Sequence, residues 1–542
     1  MKARPLAVYV SPCLSPWLDR LDMDVAVLRP EPGIFDLRAS LDEQGIEPDV
    51  IIQDEILAPR VLLKGLESYA CPKIFWSLDP HLNHYWQAPY RNLFDVAACT
   101  QKNWLGRVRA SMPGRVEWLT WSALPMPWRP HGGRRDALAF VGRVTEFRPM
   151  RQRFAAFLSD NFPMRLETDI PPPDVQPAYA MARLAPNESI GGEITQRLFI
   201  AAGAGCLVLE PSHPNGLEEL FEPGREVETY ADALELAERV AHHLKHPGEA
   251  ERKGRAALKR LTRDHQPANR MAAMGRLARD AWSASARGPE ADRLFWLAAG
   301  RCLESSLLAA RPEVVVRGLA AHRDDPECHA GLISLLTAGG EGRKALELGA
   351  RRLASGFAPD HAGFNACVCS LALRLGEYGL ALTLYEAFAE AAGEPAPRAG
   401  TPAALYAALG ETLARRGAVW RPGFPFDGAR HLPATAVEMY NMCLFLEPDN
   451  QPVLKRAEAL LRDYPGTELT RLGYLSELSL RNRDDFRLGL ALGVLDLQTF
   501  RPEEGLEEIR MARDAAAAQG RLASFGRLLT ARDPRGLVRA AL

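Results

Sequence analysis

The chain has 542 residues, more than a single hydrophobic core usually serves, so roughly two to four domains are expected. Its composition, 47% hydrophobic and 25% charged, is that of an ordinary globular protein. The formal net charge of −2 excludes a nucleic acid or other polyanion held by bulk positive charge.

The cysteines and the apolar runs bear on the cellular compartment. The nine cysteines are scattered without a Cys-x-x-Cys pair, which favours buried free thiols in a reducing compartment. No apolar run approaches the roughly 20 residues that a membrane span needs. The apolar run near the N-terminus is about five residues long, too short for a signal peptide. A cytoplasmic protein without a membrane span is therefore expected.

The first 130 residues alternate short apolar runs with helical or loop stretches. Several runs are apolar on both faces and rich in Val and Ile, as strands buried in a parallel sheet are. The runs lie at 6–10, 24–30, 49–55, 73–79, 94–101 and 116–123. This spacing predicts βαβ units and a doubly wound sheet over residues 1–130. The first strand lacks a following G-x-G-x-x-G, so a dinucleotide oxidoreductase is disfavoured.

Polar residues follow the apolar run KIFWSL, at the expected carboxyl end of a strand. They are Asp79, His81, Asn83 and His84. A carboxylate and an imidazole at this edge suit the binding of substrate hydroxyls or the transfer of a proton, so Asp79 and His81 are the predicted catalytic residues. A polar loop under aromatic side chains would have the same composition. The spacing lacks a clear third ligand, so no metal is expected.

A segment rich in Pro, Gly and Arg at 124–136 is typical of a linker. After it the alternation restarts with a strand at 137–144, and three helices end this second α/β segment near residue 285. Two consecutive α/β segments, 1–130 and 137–285, predict a cleft between them with ligands at the carboxyl ends of the strands.

Three residues around the end of the strand at 137–144 have the chemistry of an anion site. Gly142 permits the close approach of a diphosphate, and Arg143 or Arg148 would neutralise it. Either arginine could equally form an interdomain salt bridge that contributes little.

The segment NESIGGEITQRLFIAAGAGCLVLEP predicts a loop, a helix, a glycine turn and a buried strand. Gly191 and Gly192 permit close backbone approach, and Thr195 and Arg197 lie at the start of a helix predicted from Glu193 to Ala202. The N–H groups of a helix start attract anions, and Arg197 would be a bidentate partner for a phosphate. A plain turn beside a solvated arginine is equally compatible with this segment alone.

From residue 288 strand signals vanish, and Ala- and Leu-rich helices follow to residue 542. Two copies of a segment begin with His-Ala-Gly, at His329 and at His361. This spacing is close to the roughly 34 residues of a tetratricopeptide repeat. The segment 435–461 has the same helix–turn–helix pattern. The helices over 288–542 are therefore predicted to be repeats whose concave face binds a protein partner.

The segment from Asn187 to Tyr230 resembles the C-terminal half of GT-B glycosyltransferases, in particular the CgeB-like spore-maturation group. The shared features are an Asn-containing loop, the helix and strand of RLFIAAGAGCLVLEP, and then GLEELFEPGREVETY. The strand ALAFVGRV with the following arginine and the helices after Tyr230 also match. The resemblance covers roughly residues 45–285.

The resemblance implies a GT-B fold, in which two Rossmann-like domains face a cleft, followed here by the helical repeats. It implies transfer of a sugar from a nucleotide-diphosphate-sugar to a glycan or protein acceptor, with retention, without a metal and without a further cofactor. The acceptor would bind to 1–130 and the donor to 137–285. The predicted donor-binding residues are Gly142, Arg143, Arg148, Asn187, Gly191, Gly192, Thr195, Arg197, Glu218 and Glu219.

Two features leave alternatives open. Only one of Glu218 and Glu219 is expected to contact the donor, and both would also suit the first turn of a plain surface helix. The family usually has a Glu where this chain has Ile200, which cannot accept a hydrogen bond. A catalytically degenerate domain that serves as a scaffold beside the helical repeats is therefore the rival prediction.

Overall fold

The computed structural model describes residues 4–57, 59–281, 288–394 and 400–542. They form two compact units. Unit 1 combines the chain up to Leu119 with Met271–Val453, and unit 2 combines Thr120–Arg270 with Leu454–Leu542. The helical region is thus divided between the units at residue 453.

Unit 1 contains a six-stranded parallel sheet in the order β2-β1-β4-β6-β7-β8. The strands of the N-terminal segment are β1 (Leu6–Val10), β2 (Asp24–Leu28), β3 (Gly33–Asp36), β4 (Val50–Asp54), β5 (Val61–Lys64), β6 (Lys73–Ser77), β7 (Val96–Cys99) and β8 (Arg115–Trp118). All six predicted strands are present, and β4 and β6 are buried at every residue. Two further strands, β3 and β5, lie outside the predicted runs and pair with each other in a separate two-stranded sheet. The helices of this segment are α1 (Leu37–Gln44), α2 (Pro80–Arg91) and α3 (Leu105–Ala110).

Unit 2 contains a five-stranded parallel sheet, called here the second sheet, in the order β10-β9-β11-β12-β13. Its strands are β9 (Asp136–Val141), β10 (Met164–Glu167), β11 (Ala182–Pro186), β12 (Leu207–Pro211) and β13 (Glu228–Tyr230). The helices between and after these strands are α4 (Pro149–Asn161), α5 (Pro172–Ala180), α6 (Gln196–Gly203), α7 (Leu217–Leu220), α8 (Ala233–Lys245) and α9 (Pro247–Asp264). The next helix, α10 (Pro267–Asp280), begins in unit 2 and continues into the part of the chain that belongs to unit 1.

The helix after the glycine pair begins at Gln196, later than the predicted Glu193. Gly191 and Gly192 have φ angles of +61° and +71°, so the chain makes a left-handed turn that is incompatible with helix. Thr195 is extended and caps the helix, because its hydroxyl accepts the N–H of Leu198. The cap residue Thr195 therefore fixes where α6 begins.

The remaining described chain is helical, as predicted, and the described residues after 288 contain no strand. The helices are α11 (Gly288–Glu304), α12 (Pro312–Ala321), α13 (Pro326–Ala338), α14 (Gly342–Ala354), α15 (Ala362–Arg374), α16 (Tyr378–Ala392), α17 (Pro402–Arg415), α18 (Ala436–Leu446), α19 (Gln451–Leu461), α20 (Glu468–Arg481), α21 (Phe486–Gln498), α22 (Pro502–Ala518), α23 (Leu522–Arg532) and α24 (Leu537–Ala541). Among the described residues, no helix combines the length and the apolar character that crossing a membrane requires.

The last helices share a hydrophobic core with the second sheet. Phe500, in the turn between α21 and α22, packs against Phe154 and Phe157 of α4 and Tyr230 of β13. The ring centroids of Phe500 and Phe154 are 5.2 Å apart. Within unit 2, the helices after residue 453 are therefore built onto the α/β layer.

Candidate functional site

The candidate site lies at the carboxyl edge of the second sheet, where β9, β11 and β12 end. β10 and β11 lie on opposite sides of β9, so the connections leave β9 and β11 in opposite directions. Such a switch point leaves a crevice outside the carboxyl ends of the strands. The predicted residues Gly142, Arg143 and Arg148 follow β9, and the predicted residues from Asn187 to Arg197 follow β11. The sheet order thus brings these two groups to one edge.

Arg197, in the first turn of α6, folds back against the sheet. Its Nε donates to the carbonyl of Val141 over 3.0 Å, and Nη1 donates to Asn187 Oδ1 and to the carbonyl of Glu188. The guanidinium carbon lies 4.4 Å from the centroid of the Phe140 ring. Burial lowers the pKa of Arg197. Most of its donors are therefore occupied by the protein, rather than presented at the helix start.

Gly142 leaves room for the remaining end of the Arg197 guanidinium. A Cβ atom at position 142 would lie 2.8 Å from Arg197 Nη2, closer than van der Waals contact permits. A larger residue at position 142 would therefore displace the end of this guanidinium.

Asn187 connects several side chains of this edge. Its Nδ2 donates to Thr195 Oγ1 over 2.9 Å and to Glu210 Oε2 over 2.7 Å, while its Oδ1 accepts from Arg197. Its carbonyl accepts the hydroxyl of Tyr230. Asn187 is 1% exposed, so this amide holds the helix cap and the arginine in place rather than facing solvent.

Glu210, near the end of β12, is a buried carboxyl group that the sequence analysis did not single out. Its Oε1 has no hydrogen-bond partner among the described residues. Burial raises its pKa to about 8, and the bond from Asn187 opposes this rise. The carboxyl is therefore mainly protonated at neutral pH. The position of this glutamate within the apolar run LVLEP was the sequence feature that could have indicated a buried acid.

Two further arginines lie at the start of α4. Arg151 is 3% exposed and its Nε lies 2.7 Å from Glu188 Oε2, a buried ion pair. Arg148 is half-buried, and its side chain has no hydrogen bond or ion pair to any described residue. Burial and the charge of Arg151 lower the pKa of Arg148, while Glu193 and Glu188 oppose this effect. Arg148 thus keeps its donors available at the switch point.

The other predicted donor-binding residues lie at the surface or in the glycine turn. Arg143 is exposed and pairs with exposed Asp169 at 3.4 Å. Glu218 and Glu219 are exposed in the first turn of the four-residue α7, so they lie outside the buried cluster. The carbonyl of Gly192 accepts Nδ2 of Asn215 over 3.0 Å.

In unit 1, Asp79 and His81 lie where predicted, after β6 and at the start of α2. The N–H of Asp79 donates to Glu55 Oε2 over 3.1 Å, and His81 is buried. His84 accepts from Arg91 at 3.0 Å, and burial lowers its pKa to about 3, so it is a neutral structural group.

Asp54, at the end of β4, is a second carboxyl group at this edge of the first sheet. Its two oxygens accept the hydroxyl of Tyr9 over 2.7 Å and the N–H of Cys13 over 2.8 Å. Burial raises the pKa of Asp54 to about 6. The order of the first sheet also reverses between β1 and β4, so Asp54 lies at the switch point of that sheet.

Residues 136–275 match the model of a family described as glycosyl transferase-like. No curated protein matches the chain. Among similar solved structures, Anabaena HepE in complex with UDP-glucose is 11% identical, with a TM-score of 0.37 over 50% of this chain and 98% of HepE. Sucrose-phosphate synthase from Thermosynechococcus elongatus is 13% identical, with a TM-score of 0.35 over 45% of this chain and 75% of the synthase. The pneumococcal O-GlcNAc transferase GtfA, with UDP and GlcNAc, is 10% identical, with a TM-score of 0.33 over 45% of this chain and 59% of GtfA.

The predicted fold class is confirmed in its architecture, because α/β segments with parallel sheets precede a long all-helical region. The family match also confirms a glycosyl transferase-like segment at residues 136–275. The CgeB-like subgroup and the tetratricopeptide character of the helices stay predictions.

Proposed function

We propose that this chain is a glycosyltransferase that binds a nucleotide-diphosphate-sugar at the carboxyl edge of the second sheet. The observation that carries the proposal is Arg148, a half-buried guanidinium without a described partner at the switch point. It lies in a segment that matches a glycosyl transferase-like family. An unused guanidinium at this place suits an anionic ligand.

The charges of the edge also favour an anion. Three guanidinium groups interact at this edge, those of Arg148, Arg151 and Arg197. They face two carboxylates, those of Glu188 and Glu193, while the carboxyl of Glu210 is protonated and carries no charge. One positive charge is therefore left unbalanced. A diphosphate would satisfy it and would gain further from the N-terminal end of α6.

In this proposal Arg148 contacts the diphosphate directly. Arg197, held by Asn187 and Gly142, supplies positive charge behind it, and Thr195 holds the start of α6. Positive charge in a partly buried site stabilises the leaving nucleoside diphosphate as the glycosidic bond breaks. The transfer would proceed with retention, without a metal and without a further cofactor.

The acceptor side is assigned to the first sheet. Asp79 and His81, at its carboxyl edge, would bind or deprotonate an acceptor hydroxyl of a glycan or protein. The helices after residue 288 would supply the surface for a protein partner, and the protein would act in the cytoplasm.

Thermal unfolding in the presence of UDP, GDP, ADP, CDP and dTDP tests the donor site. A ligand at a hundredfold excess over its Kd stabilises the native state by about 2.7 kcal/mol, so one nucleotide should raise the Tm clearly. Arg148→Ala should abolish that rise. The matched control is Arg225→Ala, which removes an exposed arginine that pairs with exposed Glu222, and it should keep the rise. A well-folded chain that responds to none of the five would refute the proposal.

Ile200 favours a second candidate, a domain that binds the nucleotide but no longer transfers the sugar. Ile200 lies on α6, where the resemblance leads to a carboxylate, and its side chain cannot replace one. The measurement is release of nucleoside diphosphate from the donor that matches the bound nucleotide. If the unmodified chain binds the nucleotide but releases no nucleoside diphosphate from the donor, and Ile200→Glu does release it, this candidate is favoured over the enzyme.

A further inference from the structure

The loop between α19 and α20, residues 462–467, lies against the Gly191–Gly192 turn of the same unit. Gly466 has a φ of +86°, and a Cβ atom on it would lie 3.0 Å from Gly191 Cα and 3.2 Å from Gly191 N. The carbonyl oxygen of Pro465 lies 3.5 Å from the Cβ position of Gly191. The two backbones thus touch where neither has a side chain. The close approach that Gly191 permits is made here by the chain itself.

The same part of the helical region also acts electrostatically on the loop after β12. Glu468, the first residue of α20, is close enough to His213 to raise its pKa, against the larger lowering effect of burial. Asn215 of that loop donates to the carbonyl of Gly192. The segments 188–195, 212–216 and 464–468, called here the three-loop cluster, are therefore joined to one another.

Hydrogen bonds within the segment 464–468 and its neighbours hold this loop in one conformation. The hydroxyl of Thr467 donates to the carbonyls of Leu461 and Tyr464 over 2.9 and 2.7 Å. The N–H of Gly466 donates to Glu468 Oε1 over 3.2 Å. A loop with these internal bonds can hold a neighbouring turn in one conformation.

We propose that Pro465 and Gly466 are positioning residues of the donor site. They hold the Gly191–Gly192 turn in its left-handed conformation, and this turn sets the entry of the chain into Thr195 and α6. The helical region thereby forms a structural part of the nucleotide site, in addition to any partner it binds. This inference rests on the proposed function, because it names what positions that same site.

Gly466→Ala and Gly520→Ala form a matched pair that tests the inference. Both glycines have positive φ, +86° and +66°, so alanine strains both loops. Only Gly466 has atoms near its Cβ position, whereas a Cβ atom on Gly520 would meet nothing within 4 Å. The Kd for the nucleoside diphosphate found in the panel should rise about tenfold or more in Gly466→Ala and less than about twofold in Gly520→Ala, since one weakened hydrogen bond to a charged group lowers affinity by about tenfold.

Kinetics separate positioning from general destabilisation. For the matching nucleotide-sugar, the donor KM of Gly466→Ala should rise while kcat at saturating donor falls much less. Where Gly466→Ala does not fold, Glu468→Ala replaces it, because it removes the acceptor of the Gly466 N–H and leaves both glycines intact. We expect Glu468→Ala to weaken nucleotide binding with a Tm close to that of the unmodified chain.

The outcomes distinguish the two proposals. If the unmodified chain binds no nucleoside diphosphate, the proposed function fails and this inference fails with it. If the unmodified chain binds one, and folded Gly466→Ala or Glu468→Ala binds it as tightly, only this inference is overturned.

Discussion

Replacing Glu210 with glutamine tests whether the edge of the second sheet contains a protonated acid. Burial raises the pKa of Glu210 to about 8 from a reference value of 4.5. Between these values the folded chain keeps a proton that the unfolded chain has released. Each increase of one pH unit in this range therefore lowers the free energy of unfolding by up to about 1.4 kcal/mol. This loss of stability is absent below the reference pKa and complete above the pKa of the folded chain.

The glutamine variant keeps the shape of the acid and the acceptor for the Asn187 amide, but it does not ionise. The free energy of unfolding of Glu210→Gln minus that of the unmodified chain should rise by about 2 to 3 kcal/mol from pH 5 to pH 7. Urea unfolding at several pH values in this range measures the difference. Glu503→Gln, at an exposed glutamate of unit 2, reports the effect of losing a surface carboxyl. A difference between Glu210→Gln and the unmodified chain that stays constant with pH would refute the protonated state.

Three substitutions test the packing of the same unit. Gly142→Ala places a Cβ atom 2.8 Å from Arg197 Nη2, so the guanidinium must move and calorimetry should find nucleotide affinity lower by about tenfold or more. Arg151→Met leaves Glu188 buried without its partner and should cost about 3 to 5 kcal/mol in urea unfolding. Phe500→Ala leaves a cavity between the helices and the second sheet and should cost about 3 to 5 kcal/mol in the same assay.

Each of these predictions has a control in the same chain. Gly248→Ala adds a Cβ atom that meets nothing within 4 Å, so it should leave nucleotide affinity unchanged. Equal nucleotide affinities of Gly248→Ala and Gly142→Ala would contradict the steric argument. Arg225→Met removes an exposed arginine, and a cost as large as that of Arg151→Met would contradict the burial argument. Phe445→Ala removes a side chain that is 80% exposed, and it should change stability little. A loss below about 1 kcal/mol for Phe500→Ala would show that the helices do not stabilise the second sheet.

The sequence by itself determined most of the local elements of this protein, with β3 and β5 as exceptions. The centres of runs such as DVIIQDE and KIFWSLD are apolar on both faces, a pattern typical of a strand buried in a parallel sheet. The glycine pair at 191–192 marked a backbone turn, and the two φ angles confirm it. These features were readable because neighbouring residues in the chain decide them.

The roles of individual side chains at the candidate site were decided only by the tertiary structure. Arg197 was predicted to be a donor at a helix start, but its contact with Val141, which is distant in the chain, and its contact with Asn187 turn it into the sheet edge. Glu210 has an ordinary place in an apolar run, and only burial beside Asn187 raises its pKa.

The contact of Gly466 with Gly191 joins residues that no local pattern relates. It depends on how the helices after residue 453 pack on the second sheet through Phe500. Periodicity and capping depend on residues a few positions apart, so a sequence displays them directly. Packing between distant segments depends on the sum of many weak contacts, and this sum exists only in the folded chain.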